Sequence, residues 1–368
     1  MVTGDGPLGG PLAVGETVIV TGGAGFIGAA LSSGLVDAYN RVVVVDNLSP
    51  QVHACGERPA LLDPRVELVV GDVREPGVWE SVLSECRPDV VVHLAAETGT
   101  GQSLTDASLH ADVNVVGLAR MLDALQRRSA LPRRVVLASS RAVYGEGAWR
   151  DAVSGDVVYP GQRTSAMLGE ASWDFPGLEP VAMSSRSVSP SPVSVYGATK
   201  LAQEVVLSAW ARALGVEPVV LRLQNVYGPG QSLTNPYTGI MSLFCRLARS
   251  GRSIPLYEDG LMRRDFVFID DVARAIVAAT LVKVLGDVPI DVGSGEHQTI
   301  ARAAQLIAGR YGAPEPHVTG EFRQGDVRHA WADVGLAKSL LGWEADVNLE
   351  DGVERLAAWV DERAPDLT

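Results

Sequence analysis

The sequence predicts an α/β fold, a doubly wound parallel sheet followed by a smaller mixed α/β C-terminal domain. Three observations carry this. Runs such as Val42–Val45 are apolar at every position, which suits strands buried on both faces. Between them lie stretches with apolar residues at helical spacing, among them Phe26, Ile27, Ala30, Leu31 and Leu35. A glycine-rich turn joins the first run to the first such stretch. The 368 residues, 46% hydrophobic, suffice for a sizeable core and two domains. The net charge of -13 repels phosphate backbones, so nucleic acid is not an expected partner. Cys55, Cys86 and Cys245 are widely spaced and odd in number. They suit neither a disulfide framework nor a CxxC-type metal site, so no metal is expected and a reducing cytoplasm is. No membrane span is expected, because no apolar run approaches roughly 18 residues.

The elements follow in order. Residues 1–14, with clustered Gly and Pro around Leu8, are read as a flexible tail without the features of a signal peptide. Strands are predicted at Glu16–Thr21, Arg41–Asp46, Val66–Val70, Val90–Leu94 and Arg134–Ser139, with helices near Glu75–Cys86 and Ala107–Arg127. Residues 145–193, rich in Ser and Pro and poor in periodicity, are read as a lid-like insertion. A long helix at Ser194–Leu214 and a strand at Pro218–Gln224 come next. Beyond them are a helix near Ile240–Ser250, a strand Arg264–Ile269, a helix Val272–Val284 and a strand Pro289–Val292. Helical patterns around Ile300–Tyr311, Val334–Leu341 and Leu349–Asp361 close the chain. This places a dinucleotide-binding domain at 15–225 plus about 263–292, and a substrate domain at 226–262 and 293–368.

The turn Thr21-Gly22-Gly23-Ala24-Gly25-Phe26-Ile27-Gly28 has the form of a pyrophosphate-binding fingerprint. Gly22 allows a tight turn, Gly25 lets the backbone approach a phosphate, and Gly28 lets helix and strand pack closely. The helix N-terminus at Phe26 and Ile27 supplies free N–H groups to the phosphates. Asp46 ends the next strand, where a carboxylate accepts from both ribose hydroxyls and repels a 2′-phosphate. With Asn47 rather than a basic residue after it, NAD is expected over NADP. Asp72, followed by Val73, is placed to meet the adenine amino group. Leu94, Ala95 and Ala96 lie at the carboxyl edge of the fourth strand, where small residues let the cofactor pass; His93 is read as packing in the sheet.

Tyr196 and Lys200 are four residues apart, on one face of their helix. A tyrosine with a pKa of about 10 needs a neighbouring cation to serve as a base near neutrality, and Lys200 is the expected one. Ser140 ends the fifth strand at the same sheet edge and can bond a substrate oxygen.

With these residues the chain resembles the extended short-chain dehydrogenase/reductases, specifically the NAD-dependent nucleotide-sugar epimerases and dehydratases. The strings are TGGAGFIG (21–28), GDV (71–73), HLAA (93–96), Asn114, SSRAVYG (139–145), YGATK (196–200), LRLQNVYGPG (221–230) and RRDFVFIDDV (263–272), in family order over residues 16–365. The resemblance implies a Rossmann domain binding NAD, with Asn114, Tyr196 and Lys200 among its contacts, and a C-terminal domain against the nucleotide sugar. It implies a catalytic set of Ser140, Tyr196 and Lys200. Asn225, Arg264 and Arg328 match positions holding the diphosphate, and two arginines with an amide also suit it on charge grounds. Thr98 and Arg141 are assigned to the sugar.

The 4,6-dehydratases of this branch carry Thr-Asp-Glu where this chain has Ser140-Arg141-Ala142, and the decarboxylases carry a Glu two residues after the Ser or Thr. Neither acid is present, so neither reaction is expected. The strings ETGTGQS (97–103), SSRAVYGEG (139–147) and LQNVYGPGQSLTNPYTGI (223–240) resemble those of dTDP-L-rhamnose 4-epimerases. The implied activity is 4-epimerisation of a dTDP-deoxyhexose through a transient 4-keto sugar, the NAD being regenerated. A 4-ketoreductase using NAD(P)H is the alternative, and a catalytically silent NAD-sensing regulator a more distant one. The resemblance also implies a homodimer through the helices near 107–128 and 194–214.

Overall fold

Seven of the eight expected strands join one sheet in a computed structural model that describes residues 16–53, 56–233, 239–283 and 286–363. The expected tail at 1–14, Cys55 and Val284 lie outside these residues. The strands are β1 (Thr17–Thr21), β2 (Arg41–Asp46), β3 (Glu67–Val70), β4 (Val90–His93), β5 (Arg134–Ser140), β6 (Glu217–Leu223) and β7 (Ile290–Val292). All pair in parallel, in the order β7-β6-β5-β4-β1-β2-β3. The order reverses between β1 and β4, which opens a crevice at their carboxyl ends.

The helices are α1 (Phe26–Ala38), α2 (Pro76–Glu85), α3 (Gly117–Arg127), α4 (Val195–Leu214), α5 (Ile240–Arg249), α6 (Ile269–Leu281), α7 (Ile300–Tyr311) and α8 (Leu349–Glu362). Alternate strand residues feed two cores. Val18, Val20, Val42 and Val44 pack with Leu31, Leu35, Val272 and Ile276 of α1 and α6. Ile19, Val43, Val45 and Val91 pack with Trp79, Leu118, Leu122 and Leu207 of α2, α3 and α4. Burial on both faces is what the unbroken valine runs require. A third core joins α5, α7 and α8 through Phe244, Ile307 and Leu356.

Three expectations change in detail. The helix expected at Ala107–Arg127 contains a π turn at Asp112–Val116, where Asn114 reaches across to the loop after β4. The strand expected at Arg264–Ile269 divides into Arg263–Arg264 and Phe266–Phe268, which join different sheets. Between them Asp265 is buried and accepts hydrogen bonds from Ser294, Gly295 and Ala332. Helix α6 starts at Ile269, three residues early, because Asp270 and Asp271 favour a helix N-terminus.

The segment at 145–193 is structured. Three short antiparallel strands, Trp149–Asp151, Val157–Val158 and Leu178–Pro180, form a sheet beside a helix at Ser165–Gly169. Strands of two or three residues leave no periodic signal, and burial of Trp149, Met183 and Val188 holds them instead. Arg163, almost fully buried, donates to Glu146, to Glu258 and to the Asp326 carbonyl, tying the segment to the C-terminal region.

Behind the sheet edge lies a buried polar chain. Ser139 Oγ donates to Glu204 Oε1, Arg222 pairs with Glu204 at 2.7 Å, and the Arg222 guanidinium sits 4.7 Å over the Tyr144 ring. The Tyr144 hydroxyl donates to Asp291 at 2.8 Å. Burial pushes the Asp291 carboxyl up to about 7, against the hydrogen bonds from Tyr144 and Ser185. A folded pKa above the unfolded value gives stability that is complete below about pH 4 and lost as pH rises through about 7. Asp291→Asn is therefore expected to flatten the pH dependence of unfolding in that window, removing a slope of at most about 1.4 kcal/mol per pH unit. Urea unfolding across the window checks this, and an unchanged slope in the variant contradicts it.

Candidate active site

The crevice at the carboxyl ends of β1 and β4 opens into a cavity of about 1430 Å³, which runs on between the sheet edge and the C-terminal helices. Ligand pockets for one small molecule are usually about 300–1,000 Å³, so this one has room for a dinucleotide and a second ligand. The glycine turn forms one end. Gly22 has φ +65, and a Cβ there would stand 2.6 Å from Ala95 N. A Cβ on Gly28 would stand 2.4 Å from Gly23 Cα, so the helix can begin this close to the turn only with glycine. Helix α1 has no side-chain cap at Gly25, which leaves its first N–H groups facing the cavity beside Gly22, Gly25, Phe26, Ile27 and Gly28.

Asp46 is held at this end by Ala24 N at 3.0 Å and Leu48 N at 2.9 Å. Those two bonds leave carboxylate lone pairs for a ribose diol. Asn47 lines the cavity and donates to Asp72, whose carboxyl is held below its ordinary value by the Arg74 guanidinium. Val73, Leu94, Ala95, Ala96 and Thr98 line the wall between. His93 is fully buried, bonded to Thr21 Oγ1 at 2.8 Å, and burial beside Lys200 pushes its pKa down to about 3. It packs in the sheet as a neutral imidazole.

At the other end, Ser140 ends β5 and its Oγ accepts from Ala142 N at 3.1 Å. Ser194 caps α4, and Tyr196 and Lys200 leave its first turns towards the cavity. Burial raises the Tyr196 pKa; the hydrogen bond with Ser140 and then the charge of Arg141 oppose this. Lys200 donates to Ala138 O at 3.0 Å, and burial pushes it down to about 8 against the pull of Glu204. Arg141 stands beside the expected Lys200 as a cation at this end: its charge opposes the rise in the Tyr196 pKa, while the Lys200 ammonium is held on Ala138 O. Sequence spacing shows that two residues share a helix face, but not where the long lysine side chain ends.

The wall opposite carries positive charge. Arg141 donates through Nε to Asn225 Oδ1 at 2.9 Å. Arg264 is buried, donating to the carbonyls of Arg263, Val327 and Arg328. Burial, with repulsion from Arg141, pushes its pKa down to about 9. Among the described residues neither guanidinium has a carboxylate within ion-pair distance, though Asp326 on the lining and the buried Glu146 act on both through space. Two cations in one low-dielectric wall favour a nearby anion on charge grounds.

Two predicted residues stand elsewhere. Arg328 is 1% exposed and does not line the cavity; Asp174, Glu258 and Asp259 surround its guanidinium at 2.7–3.2 Å. Asn114 is fully buried outside the lining, with its amide bonded to both backbone groups of Glu97 and to Thr199 Oγ1. It braces the loop after β4 against α4, with neither amide hydrogen left to donate to a cofactor. Sequence reasoning missed Arg323, which is exposed on the cavity wall with its guanidinium 5.2 Å over the Tyr257 ring. The signal was its loop setting before Gln324-Gly325-Asp326, whereas Arg328 sits among the buried residues Val327, His329 and Ala330.

A glycine turn, a carboxylate at the end of β2 and a Ser/Tyr/Lys set lining one cavity agree with a family model that matches residues 18–292, that of the NAD dependent epimerase/dehydratases. The chain belongs to this family. It is 54% identical over 346 residues to a dTDP-L-rhamnose 4-epimerase of Burkholderia thailandensis, covering 94% of this chain and 95% of that one. A UDP-glucose 4-epimerase of Thermotoga maritima, solved with UDP-glucose, superposes with a TM-score of 0.78 at 26% identity, covering 95% of this chain and all of that one. The Thermus thermophilus UDP-glucose 4-epimerase, solved with NAD, gives a TM-score of 0.74 at 28% identity over 94% and 99% of the two chains. The residues present fit the family's cofactor: uncapped N–H groups for a pyrophosphate, and the fixed carboxylate of Asp46 for an unphosphorylated ribose. Among the described residues no helix is long and apolar enough to cross a membrane.

Proposed function

We propose that this member of the family is a dTDP-deoxyhexose 4-epimerase of the dTDP-L-rhamnose type. The observation that carries the reading is 54% identity across nearly the full length of both chains, with Ser140, Tyr196 and Lys200 on one cavity wall or edge. Bound NAD supplies a reversible hydride acceptor. Tyr196 takes the proton of the sugar 4-hydroxyl, and Arg141 with the Ser140 hydroxyl favours the phenolate that does so. Ser140 then donates to the oxygen at C4 as it becomes a carbonyl. Lys200, anchored on Ala138 O, would hold the cofactor ribose through its ammonium. Arg264, Asn225 and Arg323 grip the diphosphate while the sugar turns over, and the Tyr257 ring receives the base. Arg328, placed here by sequence, has no part in this. We assign the protein to the cytosol, where Cys86 and Cys245 remain free thiols, and to a homodimer using α3 and α4.

Arg323→Gln tests the corrected assignment. Loss of one charge-assisted contact is expected to raise KM about 10-fold or more while kcat changes little, since the grip is equal in ground and transition states. An unchanged KM returns the role to other residues. The activity itself is tested by proton NMR of the enzyme with dTDP-L-rhamnose in heavy water, without added nicotinamide. Signals of the C4 epimer without deuterium incorporation are expected. An unchanged spectrum, together with NADH oxidation by a 4-keto sugar nucleotide, would establish the ketoreductase instead.

A further inference from the structure

Among the described residues five side-chain amides line the cavity, and four have partners. Asn47 donates to Asp72, Gln51 to Gln102, Gln231 to the Val226 carbonyl, and Asn225 accepts from Arg141. Gln224 differs: it is 5% exposed, yet neither its Nε2 nor its Oε1 has a partner. Burial of an amide with both ends unmet is costly, and native structures rarely tolerate it without a reason. Gln203 and His110 are also buried and unpartnered, but they lie outside the cavity lining, so a ligand there cannot satisfy them. Tyr227 Oη and Trp359 Nε1 are unpartnered in lining residues; the Tyr227 hydroxyl stands where a Cβ on Gly352 of α8 would come within 1.9 Å, against that helix, and Trp359 offers a lone donor, so Gln224 is the one of the three that presents a donor and an acceptor together.

The position of Gln224 is set by the sheet. Leu223, the last residue of β6, pairs with Ser140 on one side and Val292 on the other. Gln224 follows it, its backbone N held by Val292 O at 2.9 Å. Its Cγ lies where a Cβ on Gly293 would come within 2.8 Å, so a glycine leaves the room this side chain occupies. Asn225 comes next, with Arg141 bonded to it. Along the chain, Gln224 thus falls between the level of Ser140 and the cationic wall.

We propose that the Gln224 amide is a sugar-recognition element, donating to one hydroxyl and accepting from another on the ring carbons between the reacting C4 and the diphosphate, C3 and C2. This rests on the reading of the protein as a nucleotide-sugar epimerase. An amide presents a donor and an acceptor about as far apart as vicinal hydroxyls, which offer the complementary pair. A site whose buried polar groups are completed by a substrate hydroxyl discriminates strongly against a sugar that lacks it. Gln224 acts in specificity, and the proton and hydride chemistry belongs elsewhere.

The test uses the NAD-loaded enzyme, with calorimetric affinities for dTDP, dTDP-L-rhamnose and its 2-deoxy and 3-deoxy analogues, beside kcat/KM. Gln224→Met keeps the shape and removes both polar groups; Gln224→Glu keeps the acceptor and removes the donor. Gln224→Met is expected to weaken dTDP-L-rhamnose on the order of 10- to 100-fold and leave dTDP unchanged. Removing the recognised hydroxyl from the sugar should cost the wild type a similar factor and the Met variant almost nothing. Gln224→Glu should lose discrimination against one deoxy analogue and retain it against the other, which also serves if the Met variant fails to fold. Independent, multiplying losses for variant and analogue, or an equal loss for dTDP itself, would overturn the proposal. A wild type that binds the sugar nucleotide without epimerising it overturns the proposed function instead, while the binding cycle still decides the role of Gln224.

Discussion

Tyr196→Phe is expected to lower turnover by at least about 10³-fold while the enzyme keeps its bound cofactor. The substitution removes one oxygen and preserves the ring, which packs edge-on to His110 with centroids 6.2 Å apart. Position, helix cap and neighbouring side chains are therefore retained, and what is lost is the group that takes the 4-hydroxyl proton. The glycine turn and Asp46 lie at the far end of the cavity, so NAD affinity should be unaffected. Absorbance of the cofactor released on denaturation, measured beside turnover, separates the two effects. A Phe variant within tenfold of wild type would remove Tyr196 from the base role, and one that has lost its cofactor would show the tyrosine to be a binding residue instead.

The largest effect on stability is expected at Glu258. Its carboxylate bridges Arg163 and Arg328 at 2.9 Å each, and all three side chains are about 1% exposed. Glu258→Ala leaves two buried guanidinium groups short of an acceptor, which in comparable cases costs about 3–5 kcal/mol. Arg163 would keep Glu146, and Arg328 would keep Asp174 and Asp259, so the protein should fold, with a lowered urea midpoint. Glu258→Gln, which retains an acceptor oxygen, is expected to lose less. Equal midpoints for wild type and Glu258→Ala would mean that the remaining carboxylates neutralise the pair without it. The segment at 145–193 reaches the C-terminal region through this cluster, and none of its residues lines the cavity. The lid role expected for it gives way to a proposed role as a brace, for which the Glu258 variants are the direct probe.

Much of the site was legible because its determinants are local. The glycine turn needs a strand before it and a helix after it, and both were evident from adjacent apolar patterns. Asp46 and Ser140 end strands whose boundaries follow from the valine runs, and Tyr196 and Lys200 are fixed by helical spacing. What misled the reading was charge whose partner lies far along the chain. Arg328 and Arg323 are five residues apart and chemically identical. One is enclosed by Asp174, Glu258 and Asp259 from two distant segments, and the other lies on the cavity wall. Asn114 matched a cofactor position, but its amide is taken up by Glu97 and Thr199, which only packing brings to it.

The sequence by itself determined the parallel sheet, the dinucleotide turn, the order of the motifs and the Ser140/Tyr196/Lys200 set. Each depends on residues within one or two turns or strands, where backbone geometry fixes direction and period. Tertiary structure alone decided which cations face the cavity, that Arg141 adds its charge beside Tyr196, and that the Gln224 amide is buried without a partner. These are properties of desolvation and of distances between remote segments, and the chain must close before either is defined.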